Sequence, residues 1–485
     1  MTEKVSLGVL ATGVPGLDVV LGGGLPEFSF NLIMGAPGSG KTTMAHQIMF
    51  ALAGPDCKAL FFTVLGEPPL KMLRYQQQYS FFDVDKVGES IRYVNLAEDL
   101  RAGDFGGVLE RVMREVEDFS PSLVFVDSFR SVVQTAKPGQ EGIADLQQFI
   151  QELGTRMTSW QATTFLIGEY AQAESEANPI MTVADGVVSL AQVQDRDAVV
   201  RKVRVVKMRG QAHLAGSHNF RITGDGLRVY PRMLPKRASA TTGAVSVERV
   251  GTGVAELDKM IGGGLPRGHS LLVSGPSGCG KTILCNAFLA EGVKNGEKGV
   301  AVYFEQGTSR LRNQQLARMV SSGDVTVLDS EALDLTVDEL LDEMVRELKR
   351  TGASRVVIDS LSEFELHLAP EFRADFRTTV LSVLSTLAEL GVTVIVTVGQ
   401  IDVFTELRFS EGNIAFLTDA IVAMRYSEME SRLNKLICVI KVRGSAHSTE
   451  LRQYEITGQG IEIAGTPGGF DGLLSGRPTH QGMKG

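Results

Sequence analysis

The chain repeats itself, and this duplication limits its fold more than any other feature of the sequence. Residues 12–43 and 252–283 are related by a constant offset of 240 positions, and 16 of the 32 aligned residues are identical. Three further blocks recur in the same order: LVFVD at 123–127 with VVID at 356–359, KMRGQAH at 207–213 with KVRGSAH at 441–447, and ITGDGLRV at 222–229 with ITGQGIEI at 456–463. Chance does not preserve order and spacing over four blocks, so the sequence predicts a duplicated domain of about 230 residues.

The duplication sets the predicted domain boundaries. We expect the first domain at residues 1–233, a linker at 234–246, the second domain at 247–464 and a tail at 465–485. The linker sequence, LPKRASATTGAVS, is small and polar and has no apolar periodicity. The tail is rich in Gly and Pro, which favours a flexible terminus, and it holds one apolar patch at 470–474.

Short apolar runs alternate with helical segments within each repeat. In the first repeat the predicted buried strands are 28–34, 59–64, 123–126 and 163–167, and the clearest helix is 105–118. The later segments 199–208 and 220–229 are predicted to form hairpin-like strands at the edge of the sheet. Alternating strands and helices predict an α/β fold, with two tandem domains that each contain a mainly parallel sheet flanked by helices.

Charge and cysteine usage exclude several classes of protein. The chain has 48 basic and 57 acidic residues, a net charge of −9, and its basic residues are scattered among acids. We therefore expect neither a nucleic acid nor a membrane as partner. The four cysteines lack paired spacing, which argues against a disulfide framework or a zinc site. Without a secretion signal at its start or an apolar run near the ~18 residues of a membrane span, the chain is expected to be cytoplasmic.

Two segments fit the phosphate-binding pattern GxxxxGK[ST]. They are Gly35, Ala36, Pro37, Gly38, Ser39, Gly40, Lys41 and Thr42, followed by Thr43, and Gly275, Pro276, Ser277, Gly278, Cys279, Gly280, Lys281 and Thr282, followed by Ile283. Each follows an apolar strand and precedes a helical segment, as the pattern requires. The glycines let the backbone N–H groups wrap a phosphate, and the lysines are expected on the β and γ oxygens. The sequence therefore predicts two ATP sites.

A magnesium ion is expected beside each phosphate loop. Thr42 and Thr282 offer a hydroxyl to the metal, and Asp127 and Asp359 each end an apolar strand and precede a serine. An aspartate in that position holds metal-bound water next to the threonine. The alternative is that these aspartates only cap their strands.

Taken together, these motifs resemble the KaiC-type ATPases of the RecA superfamily. The resemblance extends over about residues 12–463. Besides the phosphate loops and strand-end aspartates, it includes TGxxxLD with Asp18 and Asp258, GGGLP at 22–26 and 262–266, and the two K-x-R-G-x-x-H stretches. It implies two tandem RecA-like P-loop NTPase domains, ATP hydrolysis, and a homo-oligomeric ring, usually a hexamer, with ATP bound between neighbouring subunits.

The same resemblance assigns a role to the K-x-R-G-x-x-H stretches, which in this family reach the γ-phosphate held by the next subunit. The residues concerned are Lys207, Arg209 and His213, and Lys441, Arg443 and His447. A cation supplied by a neighbour stabilises charge during phosphoryl transfer and couples hydrolysis to assembly. The alternative is a strand whose basic side chains merely face solvent.

The chain departs from the family pattern at the catalytic glutamates. The family carries two adjacent glutamates after the second strand, one of which activates the attacking water. In the first repeat those positions hold Leu65 and Gly66, and Glu67 comes one residue late; in the second, Glu305 aligns and Gln306 follows. Glu305, and less favourably Glu67, are the candidate bases, because a base must lie within hydrogen-bond reach of the proton that it takes. We therefore expect slow hydrolysis.

A polar residue after the fourth strand is a candidate γ-phosphate sensor in each repeat. These residues are Glu169 in IGE and Gln400 in VGQ. RecA-like ATPases place a polar side chain at this point, and the alternative is simple strand capping.

The leading functional hypothesis is a signalling ATPase whose nucleotide state governs the docking of a regulatory protein. That partner would bind the face of the ring or the C-terminal tail, and a tail without a partner remains the alternative.

A KaiC-like serine/threonine autokinase is the second hypothesis. Clock KaiC phosphorylates a Ser–Thr pair shortly before a Thr-Asp, but here Ala415 and Phe416 occupy those positions, while Ser410 and Thr418 remain nearby.

The third hypothesis is a RecA/RadA-type DNA recombinase, which needs basic loops facing the nucleic acid. The corresponding loop 170–182 contains two acidic residues and no Lys or Arg. The corresponding loop 401–415 contains three acidic residues and one arginine. This composition argues against DNA binding.

Overall fold

The computed structural model describes residues 8–64, 69–101, 105–129, 140–170, 179–195, 198–232, 248–304, 314–329, 336–368, 376–399, 416–429, 431–468, 470–471 and 479–480. The chain divides into two compact units, Met1–Arg232 and Met233–Gly485. The predicted linker at 234–246 lies outside the described residues. In the predicted tail, Phe470–Asp471 pairs antiparallel with Thr479–His480.

The first unit contains a large sheet with the strand order β11-β10-β9-β8-β3-β7-β6-β4-β5. Its strands are β1 (Val9–Leu10), β2 (Leu25–Pro26), β3 (Phe30–Gly35), β4 (Ala59–Thr63), β5 (Ile91–Asn95), β6 (Leu123–Asp127), β7 (Thr163–Gly168), β8 (Gly186–Asp195), β9 (Ala198–Met208), β10 (His218–Thr223) and β11 (Gly226–Tyr230). Its helices are α1 (Leu17–Leu21), α2 (Lys41–Leu52), α3 (Pro69–Gln76), α4 (Ala97–Arg101), α5 (Phe105–Phe119), α6 (Gln140–Ser159) and α7 (Pro179–Val183).

The second unit repeats this architecture with the order β16-β15-β17-β18-β14-β19-β20-β21-β22. Its strands are β12 (Arg249–Val250), β13 (Leu265–Pro266), β14 (Ser270–Gly275), β15 (Gly299–Tyr303), β16 (Val325–Asp329), β17 (Arg355–Asp359), β18 (Thr393–Gly399), β19 (Ala420–Met429), β20 (Arg432–Val442), β21 (Arg452–Thr457) and β22 (Gly460–Ile463). Its helices are α8 (Ala255–Met260), α9 (Lys281–Lys294), α10 (Gln314–Ser321), α11 (Val337–Thr351), α12 (Leu361–His367) and α13 (Phe376–Glu389).

The predicted fold class is confirmed. In the first unit the neighbouring strands β8, β3, β7, β6, β4 and β5 pair in parallel, whereas the strands after β8 pair antiparallel. In the second unit β19, β14, β18, β17, β15 and β16 pair in parallel, and the strands after β19 pair antiparallel. The four predicted strands of the first repeat are present, and the first of them begins at Phe30 because Phe28 has a left-handed φ of 59°. Strands β5 and β8 are additions that the apolar runs of the sequence do not predict.

Helices cover both faces of the first sheet. On one face, Met44 and Ile48 of α2 pack with strand residues such as Phe61. On the other face, apolar residues of α5 such as Val112 pack with residues such as Phe62. A parallel sheet buried on both faces explains why its strands are continuous apolar runs rather than alternating ones.

The parallel strands of the sheet define a carboxyl edge and an amino edge, which are distinct from its edge strands β5 and β11. The carboxyl edge is where β3, β4, β6 and β7 end, and the amino edge is where they begin. Strand β3 runs parallel to β8, with Gly35 opposite Leu190, whereas β9 runs back antiparallel, with Met208 opposite Gly186. The phosphate loop therefore leaves the sheet at the carboxyl edge, and the end of β9 returns to the amino edge.

Candidate functional site

Each phosphate loop is a strand-to-helix turn whose glycines adopt conformations that other residues avoid. Gly38 and Gly40 have φ of 75° and 98°, and Gly278 and Gly280 have φ of 77° and 103°. Gly40 and Gly280 cap α2 and α9, and no side chain caps either helix. The first backbone N–H groups of both helices are therefore open to an anion, without competition from a capping side chain.

The lysine of each loop is folded back onto its own backbone. Lys41 Nζ donates to the carbonyl of Ala36 at 2.9 Å and lies 4.0 Å from a carboxylate oxygen of Glu169. Burial lowers the pKa of Lys41, and the charges of Glu169 and Asp127 oppose that shift. Lys281 Nζ donates to the carbonyl oxygens of Gly275 and Pro276 at 2.8 and 2.9 Å. A desolvated ammonium group held in this way gains more from an anionic phosphate than it would in water.

The predicted metal ligands meet in both units. Thr42 Oγ1 donates to Asp127 Oδ2 at 2.6 Å, and Thr282 Oγ1 donates to Asp359 Oδ2 at 2.7 Å. In the second unit Thr397 Oγ1 also donates to Asp359. Hydroxyl and carboxylate oxygens suit Mg²⁺, which proteins commonly bind through one or two carboxylates together with substrate phosphates. Among the described residues no group of three His, Cys, Asp or Glu side chains forms a metal site by itself.

A cavity of about 580 Å³ opens beside the first phosphate loop. It extends from Lys41 and Thr42 to Glu169 at the end of β7, and onward to the aromatic side chains of Tyr75 and Tyr79. Its volume lies in the range of about 300–1,000 Å³ that is usual for small-ligand pockets. Phosphate-binding groups at one end and aromatic faces at the other match the chemistry of a nucleotide.

The wall of this cavity that lies away from the phosphates could not be found from sequence motifs. Tyr75, Tyr79 and Arg201 line it but belong to no recognisable motif, whereas Ile222 begins the repeated block 222–229 and lies beside Gly40. Ser80 holds the wall in place, because its N–H donates to the carbonyl of Gly224 and its hydroxyl to Asp225, both at 2.9 Å. No sequence signal marks Tyr75 or Tyr79, since the segment after α3 meets the β10–β11 turn only in the folded chain.

The K-x-R-G-x-x-H stretch of the first unit lies away from this cavity. Lys207 Nζ donates to the carbonyls of Met181 and Thr182 at 2.9 and 3.2 Å. Arg209 pairs with Asp185 at 3.2 Å, and Asp185 accepts from the backbone N–H of Phe30, the first residue of β3. The phosphate loop begins at Gly35, the last residue of β3, about 17 Å further along the strand. The arginine and the loop of one unit therefore lie at opposite edges of its sheet.

The second unit repeats this placement. Arg443 pairs with Asp419 at 3.4 Å and donates to the carbonyl of Phe416 at 2.9 Å, and Asp419 accepts from the backbone N–H of Ser270 at the start of β14. The side chains of Arg209 and Arg443 are both 56% exposed. Both arginines thus present a charged group outward at the amino edge.

The lysines of the two stretches share a common environment. Partial burial, followed by the nearby charge of Arg209, lowers the pKa of Lys207. Burial and then Arg443 lower the pKa of Lys441 in the same way. Two adjacent cations at each amino edge favour an anion in that position.

The GGGLP motif supports these stretches. A Cβ on Gly22 would lie 2.0 Å from the carbonyl oxygen of Ala212, next to His213, so no larger residue fits at Gly22. Gln211 Nε2 donates to the carbonyls of Leu21 and Gly24 at 2.6 and 2.7 Å. In the second unit the corresponding residues are Gly262 and Ala446, beside His447. The GGGLP motif therefore packs against the backbone of the basic stretch and holds it in position.

Several predicted site residues lie outside the described part of the chain. They are Glu67, Glu305, Gln306, Gln400, Ala415 and Ser410. Phe416 and Thr418 are described: Phe416 is 67% exposed and Thr418 is fully buried.

Comparisons with known proteins agree with the duplication. A family model described as "ATPase: KaiC" matches residues 10–233 and again residues 250–467. The chain is similar to the circadian clock oscillator protein KaiC of Rippkaea orientalis, with 27% identity over 99% of this chain and 93% of that protein. It is also similar to KaiC of a Picosynechococcus species, with 26% identity over 97% of this chain and 92% of the relative. KaiC 1 of a Synechocystis species is 27% identical over 97% and 92% of the two chains. No helix among the described residues is long and apolar enough to span a membrane.

Proposed function

Because the chain belongs to the KaiC family of ATPases, we propose that it is a ring-forming signalling ATPase that binds two ATP molecules per chain and hydrolyses them slowly. Each ATP site is completed by a neighbouring copy, and the nucleotide state governs the docking of a regulatory protein. The ring is proposed to be a hexamer.

The observation that carries this proposal is the separation of the two halves of each site. The phosphate loop with Lys41 lies at the carboxyl edge of the sheet, whereas Arg209 is tied to Asp185 at the amino edge. Within one unit, Lys41 and Arg209 cannot reach the same phosphate, because the length of β3 separates them. A head-to-tail ring, which joins two different faces of identical subunits, brings them together.

Each residue has a defined part in the proposed chemistry. Lys41 and Lys281 neutralise β and γ oxygens, and the backbone N–H groups of the loop orient the phosphates. Thr42 with Asp127, and Thr282 with Asp359, would hold Mg²⁺, which spreads the negative charge of the phosphates. Arg209 and Arg443 of a neighbour stabilise the charge that develops as the terminal phosphoryl group passes to water.

The bases that activate this water are proposed to be Glu305 in the second repeat and Glu67 in the first. Glu67 is displaced by one position from the usual glutamate pair, and Gln306 orients a water but accepts no proton. Slow hydrolysis would let each nucleotide state persist long enough for a partner protein to recognise it.

The autokinase alternative has less support. Phe416 has no hydroxyl group, and Thr418 is fully buried. After incubation with ATP and Mg²⁺, intact-mass analysis is expected to return the unmodified chain at all times. A time-dependent gain of one phosphoryl mass would restore the autokinase interpretation.

A subunit-mixing experiment tests the shared sites. One chain carries Lys41→Ala, the other carries Arg209→Ala, and both carry Arg443→Ala to silence the second repeat. Each chain alone should release little phosphate. A 1:1 mixture should recover about a quarter of the rate of the Arg443→Ala parent, because one junction in four then pairs an intact loop with an intact arginine.

The matched control replaces the Arg209→Ala chain with one that carries Lys41→Ala and Arg209→Ala together, so that the mixture contains no intact loop. This mixture should stay inactive. Full activity of Arg209→Ala alone, or no recovery in mixtures that mass photometry shows to be mixed rings, would disprove completion by a neighbour.

A further inference from the structure

A second cavity, of about 650 Å³, lies at the amino edge of the first sheet. Its lining includes Leu123 and Thr163, the first residues of β6 and β7. It is therefore at the opposite edge from the phosphate loop of its own unit, and none of its lining residues belongs to that loop or to the basic stretch 207–213.

The cavity is acidic. Glu27, Asp56 and Glu117 line it. In the part of the chain that the structure describes, none of these three carboxylates takes part in an ion pair. Lys58, adjacent in sequence to the lining, instead lies over the ring of Phe119 at 5.1 Å. The negative charge at the cavity is thus left for a cation from outside.

The equivalent location in the second unit contains arginine side chains of the chain itself. Glu27 follows β2 directly, and its counterpart after β13 is Arg267. Leu123 begins β6, and its counterpart at the start of β17 is Arg355. The backbone N–H groups of Phe28 and Gly268 each donate to a threonine hydroxyl at 2.9 Å, so the two locations are equivalent.

The two arginines of the second unit form a closed network. Arg267 contacts Glu248 and Glu297 at 2.9 and 2.7 Å, and Arg355 contacts Glu297 at 2.5 Å. Arg355 also donates to the carbonyl of Phe288 at 2.9 Å and is only 2% exposed. In the first unit both arginines are replaced, by an acid and by leucine, and both replacing residues, Glu27 and Leu123, line the cavity.

Three residues at this cavity have backbone conformations that normally require glycine. The φ angles are 59° at Phe28, 49° at Ser120 and 56° at Gln161, whereas the equivalent residues of the second unit are Gly268, Gly352 and Gly391 at 80°, 71° and 72°. All three non-glycine residues line the cavity. A left-handed conformation costs free energy for a residue with a Cβ, and here the chain accepts that cost at three positions around one cavity.

Aromatic side chains complete the lining. Trp160 and Phe28 both line the cavity, and Phe28 is 40% exposed. A guanidinium group stacks on aromatic faces and forms paired hydrogen bonds with carboxylates. Among protein side chains arginine fits this combination best.

We propose that this cavity binds an arginine side chain presented by a segment of a partner protein, in place of the guanidinium groups that the second unit supplies itself. The charge of Glu27, Asp56 and Glu117 provides the attraction, and Trp160 with Phe28 provides the stacking surfaces. No lining residue of this cavity belongs to the proposed ATP sites, so a failure of arginine binding would leave the proposed function untouched.

The only tryptophan of the chain, Trp160, reports on this cavity. The full chain is titrated with acetyl-Gly-Arg-Gly-amide while Trp160 fluorescence is followed. We expect a saturable change with a dissociation constant on the order of 1 mM. The same peptide with citrulline, which has the shape of arginine without its charge, should bind at least tenfold more weakly.

Two variants make the assignment specific. The double variant Glu27→Gln and Glu117→Gln changes exposed or half-exposed side chains, so it should fold normally and lose at least tenfold in affinity for the arginine peptide. The control Glu455→Gln alters an exposed carboxylate of the second unit and should bind as the parent does. Equal responses to the arginine and citrulline peptides, or unchanged affinity in the double variant, would overturn the proposal, as would tighter binding of free L-arginine than of the peptide.

Discussion

At the scale of single residues, the two phosphate-loop helices differ in one buried position. His46 in α2 is fully buried; its Nδ1 lies 2.8 Å from the carbonyl of Thr42, and its ring centroid is 4.6 Å from that of Phe61. Burial lowers the pKa of His46 to about 4. The corresponding residue of α9, Asn286, instead accepts a hydrogen bond from the Tyr303 hydroxyl at 3.2 Å. The first unit therefore contains a pH-sensitive residue where the second has a neutral one.

This difference predicts acid sensitivity of the first unit. The unfolded chain protonates His46 near pH 6.5, whereas the folded chain does so only near pH 4. The stability contribution is thus fully present above pH 6.5 and is lost as the pH falls toward 4, by roughly 3 kcal/mol in the free energy of unfolding. Urea unfolding followed by Trp160 fluorescence reports the first unit and measures this loss.

The variant His46→Asn serves as the comparison, because asparagine is the residue that the second unit uses at this position. It should show a shallower decline in the free energy of unfolding between pH 6.5 and 4. Parallel pH profiles for the parent and the variant would contradict the assignment to His46.

At the scale of elements, the equivalent strands β10 and β21 of the two units support their phosphate loops in different ways. The Tyr454 hydroxyl in β21 donates to the carbonyl of Cys279 at 2.5 Å. In β10 the corresponding residue is Phe220, an equivalence fixed by Ile222 and Ile456, which face the last glycine of their respective loops in the same way. The loop of the second unit therefore has a hydroxyl anchor that the first lacks.

Loss of this anchor should loosen the second nucleotide site. We expect Tyr454→Phe to speed nucleotide release from the second loop about fivefold, because a net hydrogen bond contributes ~1 kcal/mol. Stopped-flow release of a fluorescent ADP analogue, in a chain whose first loop carries Lys41→Ala, measures this site alone. The reciprocal change Phe220→Tyr, tested with Lys281→Ala, should slow release from the first loop. An unchanged rate for Tyr454→Phe would show that the hydroxyl does not restrain the loop.

At the scale of the whole molecule, we propose that the exposed arginines at the amino edges, Arg209 and Arg443, act only when the chain is assembled into a ring. Arg209 and Arg443 are each held by an aspartate that also binds the start of the central strand. Their position is therefore set by the sheet and not by a mobile loop. A fixed position suits a group that must meet the phosphate of a neighbouring subunit accurately.

Nucleotide-dependent assembly is the corresponding prediction. With ATP and Mg²⁺, mass photometry should find a species near 310 kDa, about six copies of the 52.3 kDa chain. Lys41→Ala and Lys281→Ala, each tested singly, identify which loop must be filled. At least one of them should shift the population toward smaller species. If neither variant nor the removal of ATP changes the mass distribution, assembly does not depend on nucleotide.

The sequence alone determined the duplication, the α/β class, the two phosphate loops and the pairing of Thr42 with Asp127, because these depend on local patterns and on the rule that parallel strands end at one edge. Tertiary structure decided the rest. Strand order and direction are non-local, so only the folded chain shows that Arg209 lies across the sheet from Lys41. Likewise, Glu27 and Trp160 are far apart in the sequence, and they share a cavity only because the starts of neighbouring strands meet at one edge of the sheet.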